Sequence, residues 1–257
     1  MLEAYIRERL KQRKLLLMAH LVVGYPSIAA NRRMLTCMQE AGVDLVELQM
    51  PFSEPIADGP VFIRANQEAL RGRLKRADYF RFMRSAARTV DMPLLFMGYC
   101  NTVFRTGEEN FCNRLSSAGG RGMIVADLPP EEARELLRHA AACKLDFIRL
   151  MTPTDTDRRL REVADGASGF VYCVARRGVT GRATALDAAL RAYLKRCRAV
   201  TRLPLAVGFG IRKPEHVRLL RGHADIAIVG TACLENWEQG SPRSYRSFLK
   251  SLRKAAD

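Results

Sequence analysis

The chain has 257 residues, of which 48% are hydrophobic, and its formal net charge is +15. This length suits one barrel-sized domain, and no linker divides the sequence, so we expect a single domain over residues 1–257. The seven cysteines are odd in number and never spaced as Cys-x-x-Cys, which argues against a disulfide framework or a zinc site and favours a reducing cytoplasm.

The first apolar run, Leu15 to Val23, follows a basic segment and superficially resembles a signal peptide. It contains His20 and leads to Gly24-Tyr25-Pro26 instead of a small-residue cleavage site, so we interpret it as a core strand. No run is long enough to span a bilayer, and we do not expect a membrane protein.

Short apolar runs alternate with amphipathic ones along the whole chain. Eight strands are predicted near Leu16–Val22, Leu45–Leu48, Leu94–Met97, Met123–Ala126, Phe147–Met151, Phe170–Val174, Leu205–Val207 and Ile226–Val229. Helices are predicted at Ala29–Ala41, Asp78–Val90, Glu131–Cys143, Arg158–Ala164, Leu186–Val200 and Pro214–Arg221, with a first helix at Leu2–Leu10 and a final one at Tyr245–Lys254. Eight strand–helix units in about 250 residues predict a TIM (β/α)8 barrel with an extra N-terminal helix; a doubly wound open sheet is the alternative.

The positive charge is concentrated in arginine, and residues 71–88 carry seven basic side chains on what we interpret as one helix. Such a surface can bind nucleic acid. However, the basic positions surround an apolar stripe without aromatic residues suited to base stacking, which favours a solvated helix face. We therefore do not expect nucleic acid as a partner.

Two acids stand near the second predicted strand, in ELQMPFSEPIADGP. Glu47 is placed where that strand stops, and Asp58 follows in a loop whose prolines and Gly59 prevent regular helix or sheet. Two carboxylates at the mouth of a barrel suggest acid/base chemistry, although a salt-bridged structural role for Glu47 stays open. Tyr99 follows the third strand and Asp127 the fourth, where we favour a structural role for Asp127.

Glycine-rich loops follow the last three strands: Arg176 to Arg182 contains Thr180 and Gly181, and the others are Gly208-Phe209-Gly210 and Gly230-Thr231. Exposed backbone amides in such loops can hold a phosphate, and the loops after the last strands form the usual phosphate site of this architecture. None of them matches a nucleotide-binding P-loop.

Several segments together resemble the alpha subunit of tryptophan synthase. They are ELQMPFSEPIADGP, GYCNTVF, IVADLPPEE, RRGVTG, AVGFGI and IVGTA, and they occur in the order found in that family. The resemblance implies a lyase of tryptophan biosynthesis, which cleaves indole-3-glycerol phosphate into indole and glyceraldehyde 3-phosphate without a metal or cofactor of its own. It also implies a beta subunit that carries pyridoxal phosphate, in an alpha-beta-beta-alpha heterotetramer.

The resemblance implies roles for individual residues as well. Glu47 and Asp58 match the two catalytic acids. The implied substrate-binding residues are Tyr99, Tyr172, Thr180, Gly181, Phe209, Gly210, Gly230 and Thr231. Thr180 would belong to a closing lid, and Tyr172 could equally be a barrel-filling aromatic residue. The loop from Pro51 to Pro60 would meet the beta subunit.

Three residues depart from the family pattern: Glu54, Tyr25 and His20. They question partner matching and affinity more than the class of reaction, and for His20 we favour a neutral, packed side chain over a substrate contact. A non-catalytic subunit that activates its partner, a stand-alone lyase that releases indole, and a related barrel with another phosphorylated substrate stay open as alternatives.

Overall fold

The computed structural model describes residues 1–175, 188–208 and 210–257. Its strands are β1 Leu16–Val22, β2 Leu45–Gln49, β3 Leu94–Gly98, β4 Gly122–Val125, β5 Asp146–Met151, β6 Val171–Val174, β7 Leu205–Gly208 and β8 Ile226–Val229. Each strand pairs in parallel with the next, and β8 closes the sheet on β1 with Leu16 opposite Ile226. The closed eight-stranded barrel confirms the predicted fold and excludes the open sheet.

Helices pack around the barrel and, in the case of α1, against one end of its interior. In the described residues they are α1 Leu2–Leu10, α2 Ile28–Glu40, α3 Pro60–Arg71, α4 Arg76–Ala86, α5 Cys100–Phe104, α6 Glu108–Ser117, α7 Arg134–Ala142, α8 Asp157–Asp165, α9 Ala188–Val200, α10 Pro214–Leu220, α11 Thr231–Glu238 and α12 Pro242–Ala256. A 3₁₀ turn, Pro130–Glu132, precedes α7. The extra N-terminal helix is present, and its buried Leu2 and Ile6 belong to the same apolar cluster as the inward-facing residues of the strands.

Two sequence interpretations of the basic and proline-rich segments were wrong. Pro60 starts α3 instead of preventing it, because the first turn of a helix does not need the N–H group that proline lacks. The basic residues of the segment 71–88 do not share one helix: Arg71 ends α3, Arg73 has a positive φ of 58°, and Lys75 caps α4. Their charges therefore do not form one continuous helical face.

Alternation along the strands divides the core into two layers. Residues such as Val46 and Leu48 face outward and pack under the helices, whereas Leu16, Met18 and Leu45 fill the barrel interior. The interior changes character toward the carboxyl ends of β1 and β2, where His20, Glu47 and Gln49 follow these apolar residues at two-residue spacing. This polar end of the barrel interior positions the candidate site.

Candidate active site

One cavity at the carboxyl ends of the strands brings together residues that are far apart in sequence. Six of the predicted site residues line it: Glu47, Asp58, Tyr172, Gly210, Gly230 and Thr231. His20, Phe62 and Arg212 line the same cavity. The predicted residues Thr180, Gly181 and Phe209 lie outside the described residues.

Glu47 lies inside the barrel, two residues before the end of β2, and not at the point where the strand stops as the sequence suggested. Its side chain is 1% exposed. Glu47 Oε1 lies 3.1 Å from His20 Nδ1, yet in the described part of the chain no hydrogen-bond donor is aligned with this oxygen. Glu47 therefore combines a cavity-lining position with a carboxylate oxygen that no aligned donor saturates, an arrangement suited to proton transfer.

Asp58 reaches the same cavity from the loop between β2 and α3, and it is 4% exposed. Its Oδ2 accepts hydrogen bonds from Gln49 Nε2 at 2.6 Å and from the Tyr99 hydroxyl at 3.0 Å. Burial raises the pKa of Asp58 above its ordinary value, against the opposing effects of His20 and these two hydrogen bonds. The two donors fix the carboxylate, and its position allows it to accept a hydrogen bond from a ligand N–H group.

Tyr99 is fully buried behind Asp58 and is not among the residues that line the cavity. Its hydroxyl accepts a hydrogen bond from the backbone N–H of Ala57, and its ring stacks on Phe52 with 5.1 Å between centroids. Tyr99 therefore holds the loop that carries Asp58, and its contacts in the structure are with that loop.

Tyr172 points into the barrel from β6 and occupies the space beside Gly208 on β7. A Cβ atom at residue 208 would overlap the Tyr172 ring and hydroxyl, so a glycine is needed there for this close approach. Burial, followed by the nearby charges of Glu47 and Asp58, raises the pKa of Tyr172 well above its ordinary value. The neutral phenol forms one wall of the cavity.

Glycines after β7 and β8 line the cavity where the phosphate loops were predicted. Gly210 has a φ of 89°, a left-handed conformation that glycine adopts without strain. Gly230 caps α11, whose first residue is Thr231. Arg212, which the sequence analysis did not single out, also lines the cavity and forms an ion pair with Glu235.

Other singled-out residues contact the framework around the site. Asp127 accepts a hydrogen bond from the backbone N–H of Cys100 at 2.6 Å, which joins the ends of β3 and β4 and agrees with a structural role. Tyr25 donates a hydrogen bond to Glu238, and burial raises its pKa to about 12. Glu54 is exposed.

Gln49 is the polar residue at the centre of the site that the sequence analysis missed. It is fully buried and joins His20 to Asp58. The available signal was a glutamine at an inward-facing position at the end of a strand with apolar neighbours. A buried amide requires hydrogen-bond partners, so this residue indicated a polar contact inside the barrel.

Two kinds of feature are absent from the described ranges. The described residues contain no cluster of three or more His, Cys, Asp or Glu side chains that could hold a metal ion. None of the described helices is long and apolar enough to cross a membrane.

Comparison with known proteins identifies the family. The family model described as "Tryptophan synthase alpha chain" matches residues 6–256. The tryptophan synthase alpha chain of Desulfotalea psychrophila is 46% identical over 252 residues, which cover 98% of this chain and 99% of the relative. That of Desulforapulum autotrophicum is 45% identical over 252 residues and covers 98% of this chain and 100% of the relative.

Solved structures agree with the sequence matches. A chain of Mycobacterium tuberculosis tryptophan synthase superimposes with a TM-score of 0.92 at 32% identity, covering 99% of this chain and 97% of that one. Tryptophan synthase subunit alpha from Legionella pneumophila superimposes with a TM-score of 0.90 at 30% identity, covering 100% and 98% of the two chains. This chain belongs to the tryptophan synthase alpha chain family.

Proposed function

We propose that this chain cleaves indole-3-glycerol phosphate into indole and glyceraldehyde 3-phosphate, with Glu47 and Asp58 as its catalytic acids. The observation that carries the proposal is that both buried carboxylates line one cavity at the mouth of a barrel of this family. The reaction is a retro-aldol cleavage, and it places three demands on the protein. Indole carbon three must gain a proton, the neighbouring hydroxyl must lose one, and the indole nitrogen must tolerate positive charge.

Glu47 would move both protons. It is the carboxyl that has an oxygen without an aligned donor, so it can give a proton to indole carbon three and take one from the hydroxyl. Asp58 would accept the hydrogen bond from the indole N–H, and its negative charge would stabilise the positively charged indole intermediate. The Tyr99 and Gln49 hydrogen bonds hold Asp58 in place before substrate arrives.

The phosphate end of the substrate would lie on the glycine side of the cavity. Gly210, Gly230 and Thr231 offer backbone and hydroxyl groups at the start of α11, and the helix dipole favours an anion there. By family resemblance, Gly181 and Phe209 would join this site. Thr180 would close over it as part of a lid that keeps water out and indole in.

A beta subunit that carries pyridoxal phosphate would receive the indole, in an alpha-beta-beta-alpha assembly. Two large apolar side chains near the mouth of the barrel support a docking surface there: Ile56 is 72% exposed and Phe104 is 73% exposed. Ile56 belongs to the Pro51–Pro60 loop, which the resemblance assigns to this contact, and Phe104 ends α5 directly after β3. Partner docking on this loop would also move Asp58.

We further propose that residues 1–257 form one domain, that the chain itself uses no cofactor, and that it works in the cytoplasm. All seven cysteines are free, which fits a reducing compartment.

Indole release by the purified chain tests the function, with and without its cognate beta subunit. We expect release that rises with the partner, and a loss of about 10²- to 10⁴-fold in Glu47→Gln, the range for removal of a general acid–base group. The same substitution at an exposed carboxyl, Glu54→Gln, is the matched control for activity without the partner. No release from the wild type even with the partner would contradict the proposal.

A further inference from the structure

His20 and Gln49 connect the two catalytic carboxylates by a continuous path. His20 on β1 lies opposite Glu47 on β2 in the strand register, and both side chains point into the barrel. From Glu47 Oε1 the path runs 3.1 Å to His20 Nδ1, then 3.0 Å from His20 Nε2 to Gln49 Oε1, then 2.6 Å from Gln49 Nε2 to Asp58 Oδ2. His20 is 6% exposed and Gln49 is fully buried, so solvent contributes little to this path.

Two of the three contacts in this path are hydrogen bonds, and their directions follow from the Asp58 end; the contact between His20 Nδ1 and Glu47 Oε1 is a close approach. Asp58 Oδ2 accepts from Gln49 Nε2, which leaves Gln49 Oε1 as the atom that faces His20 Nε2. An amide oxygen only accepts hydrogen bonds, so His20 Nε2 must carry a hydrogen. The hydrogen bond to Gln49 therefore requires a hydrogen on His20 Nε2, the ring nitrogen that lies away from Glu47.

The near side of the ring then requires a proton. A neutral imidazole has one N–H group, and if that group is Nε2, the bare Nδ1 faces the Glu47 carboxylate at 3.1 Å. Two acceptors at this distance repel each other unless a hydrogen lies between them. Either Glu47 is protonated and donates to Nδ1, or His20 is an imidazolium that donates to Glu47.

We propose that His20 and Gln49 are positioning residues that keep one proton shared between His20 Nδ1 and Glu47, so that Glu47 enters catalysis with the proton it must deliver. This inference rests on the proposed function. The shared proton would go to indole carbon three. The hydroxyl proton would return to the same pair when the carbon–carbon bond breaks, while the bonding electrons restore the indole ring and the hydroxyl carbon becomes the aldehyde. The pair gains and loses one proton per turnover.

Packing alone does not require a histidine at residue 20. The ring lies 4.4 Å from that of Phe62 between centroids, an aromatic contact that does not depend on the imidazole nitrogens. Burying an imidazole and a glutamine inside an apolar barrel costs free energy unless both are hydrogen-bonded. In this structure the two imidazole nitrogens of His20 and the side-chain amide of Gln49 provide the contacts that join Glu47 to Asp58.

The electrostatic surroundings of His20 favour the shared proton. Burial acts to lower the pKa of His20, but the negative charges of Glu47 and Asp58 together with the polar contacts to Glu47 and Gln49 outweigh it, and the pKa lies above its ordinary value. The titratable or charged groups facing the ring from the packed elements are Glu47 from β2, Asp58 from the following loop, Tyr172 from β6, Arg212 from the β7–α10 loop and Cys233 from α11. Arg212 is balanced by Glu235, and Cys233 and Tyr172 are buried with raised pKa values, so the two carboxylates dominate.

The pH dependence of indole release in His20→Phe tests the proposal. We expect kcat to fall about 10- to 100-fold, as when a reacting group is slightly misplaced, with KM little changed. We also expect the alkaline loss of activity to begin at lower pH than in the wild type, because one basic group instead of two holds the proton. Gln49→Met, which keeps the volume and removes both hydrogen bonds, should shift the alkaline limb in the same direction. The matched control is His223→Phe at an exposed position, which should leave kcat and the pH profile unchanged.

A role in packing alone would lower kcat or stability without moving the pH profile. An unchanged profile in a folded, active His20→Phe would therefore overturn the proposal.

Nitrogen-15 NMR of the protein labelled at its four histidines provides a readout that does not need activity. The His20 signals are identified by their loss in His20→Phe. We expect a hydrogen on Nε2 at neutral pH and a shared or bound hydrogen at Nδ1, which should become bare in Glu47→Gln because the glutamine amide can donate to it. A bare Nε2 with hydrogen on Nδ1 would refute the proposal. If the wild type released no indole, the proposed function would fail, and the spectrum would still decide where the proton lies.

Discussion

Two buried acids three residues apart in the β2 segment, Asp44 and Glu47, have opposite surroundings. Asp44, at the bottom of the barrel, is fully buried, and its carboxylate is within 3.0 Å of three guanidinium groups, those of Arg9, Arg13 and Arg253. It also accepts a hydrogen bond from the Leu17 backbone N–H. Glu47 is equally buried and has His20 as its close ionisable partner.

The difference separates a structural acid from the acid that we propose to be catalytic. Every lone-pair direction of Asp44 is used, and its charge is compensated, so it ties α1, β1 and α12 together at the closed end of the barrel. Glu47 has an oxygen without an aligned donor in the part of the chain that the structure describes, and the residue lines a cavity. Burial by itself does not distinguish Asp44 from Glu47. What distinguishes them is whether hydrogen-bond donors occupy both carboxylate oxygens.

Asp44→Asn should give the largest loss of stability. It removes the negative charge that Arg9, Arg13 and Arg253 share, although Arg253 keeps its ion pair with Asp257, and removal of one partner of a buried ion pair typically costs about 3–5 kcal/mol. Denaturant unfolding measures the loss, and the folded fraction should keep its indole release. Glu47→Gln is the matched comparison, with lost activity and a much smaller loss of stability; equal losses in the two variants would contradict the contrast.

Asp58→Asn should reduce indole release by about 10²- to 10³-fold, the usual effect of removing one group that stabilises developing charge. The asparagine oxygen can still accept the Gln49 and Tyr99 hydrogen bonds, so the loop should keep its position. Steady-state kinetics with and without the beta subunit measure the effect. Activity close to that of the wild type would remove Asp58 from the catalytic assignment.

Gly208→Ala should destabilise the protein by about 1–3 kcal/mol, because the new methyl group overlaps the Tyr172 side chain and forces it to move. Thermal or denaturant unfolding gives the value. In a Tyr172→Ala background the same substitution should cost much less, and a cost independent of Tyr172 would show that the strain arises elsewhere.

Arg9→Ala should have a smaller effect, about 1 kcal/mol or less, because its side chain is partly exposed and Arg13 and Arg253 still compensate Asp44. Denaturant unfolding of Arg9→Ala and Asp44→Asn under the same conditions measures the two losses of stability. A loss as large as that of Asp44→Asn would mean that a single arginine, and not the combined charge, holds this end of the barrel.

The pH dependence of stability should show the smallest effect. The pKa of Asp58 is raised in the folded chain, so the native state binds its proton more tightly than the unfolded state does. The stability of the wild type relative to Asp58→Asn should therefore fall as pH rises from the ordinary aspartate value of 3.8 through the raised folded pKa. Urea unfolding of both proteins across this range measures the difference, and a constant difference would contradict the raised pKa.

Much of the fold followed from sequence patterns. All eight strands were located within one or two residues of their bounds, because strands buried on both faces leave continuous apolar runs. The helices α3, α5, α6 and α11 were missed. Proline and glycine at the start of α3 suggested a loop, and α5 has only five residues, too few for a helical pattern to stand out.

The candidate site was predicted less completely. Loop positions after strands indicated where Glu47, Asp58 and the glycines would meet, since parallel strands present their carboxyl ends at one face. The roles of Tyr99 and Gln49 depend on contacts across 41 and 9 residues of sequence, and no local pattern reports such contacts.

The sequence by itself determined the alternation of strands and helices, the acids and glycine loops at the strand ends, and the family, because each is written in local order and spacing. The tertiary structure decided which acid is saturated with hydrogen bonds and which is not, and how His20 and Gln49 connect the two carboxylates proposed to be catalytic. These properties depend on distances of about 3 Å between side chains from different strands and loops, which the pairing of β1 with β2 and the path of the loop after β2 bring together.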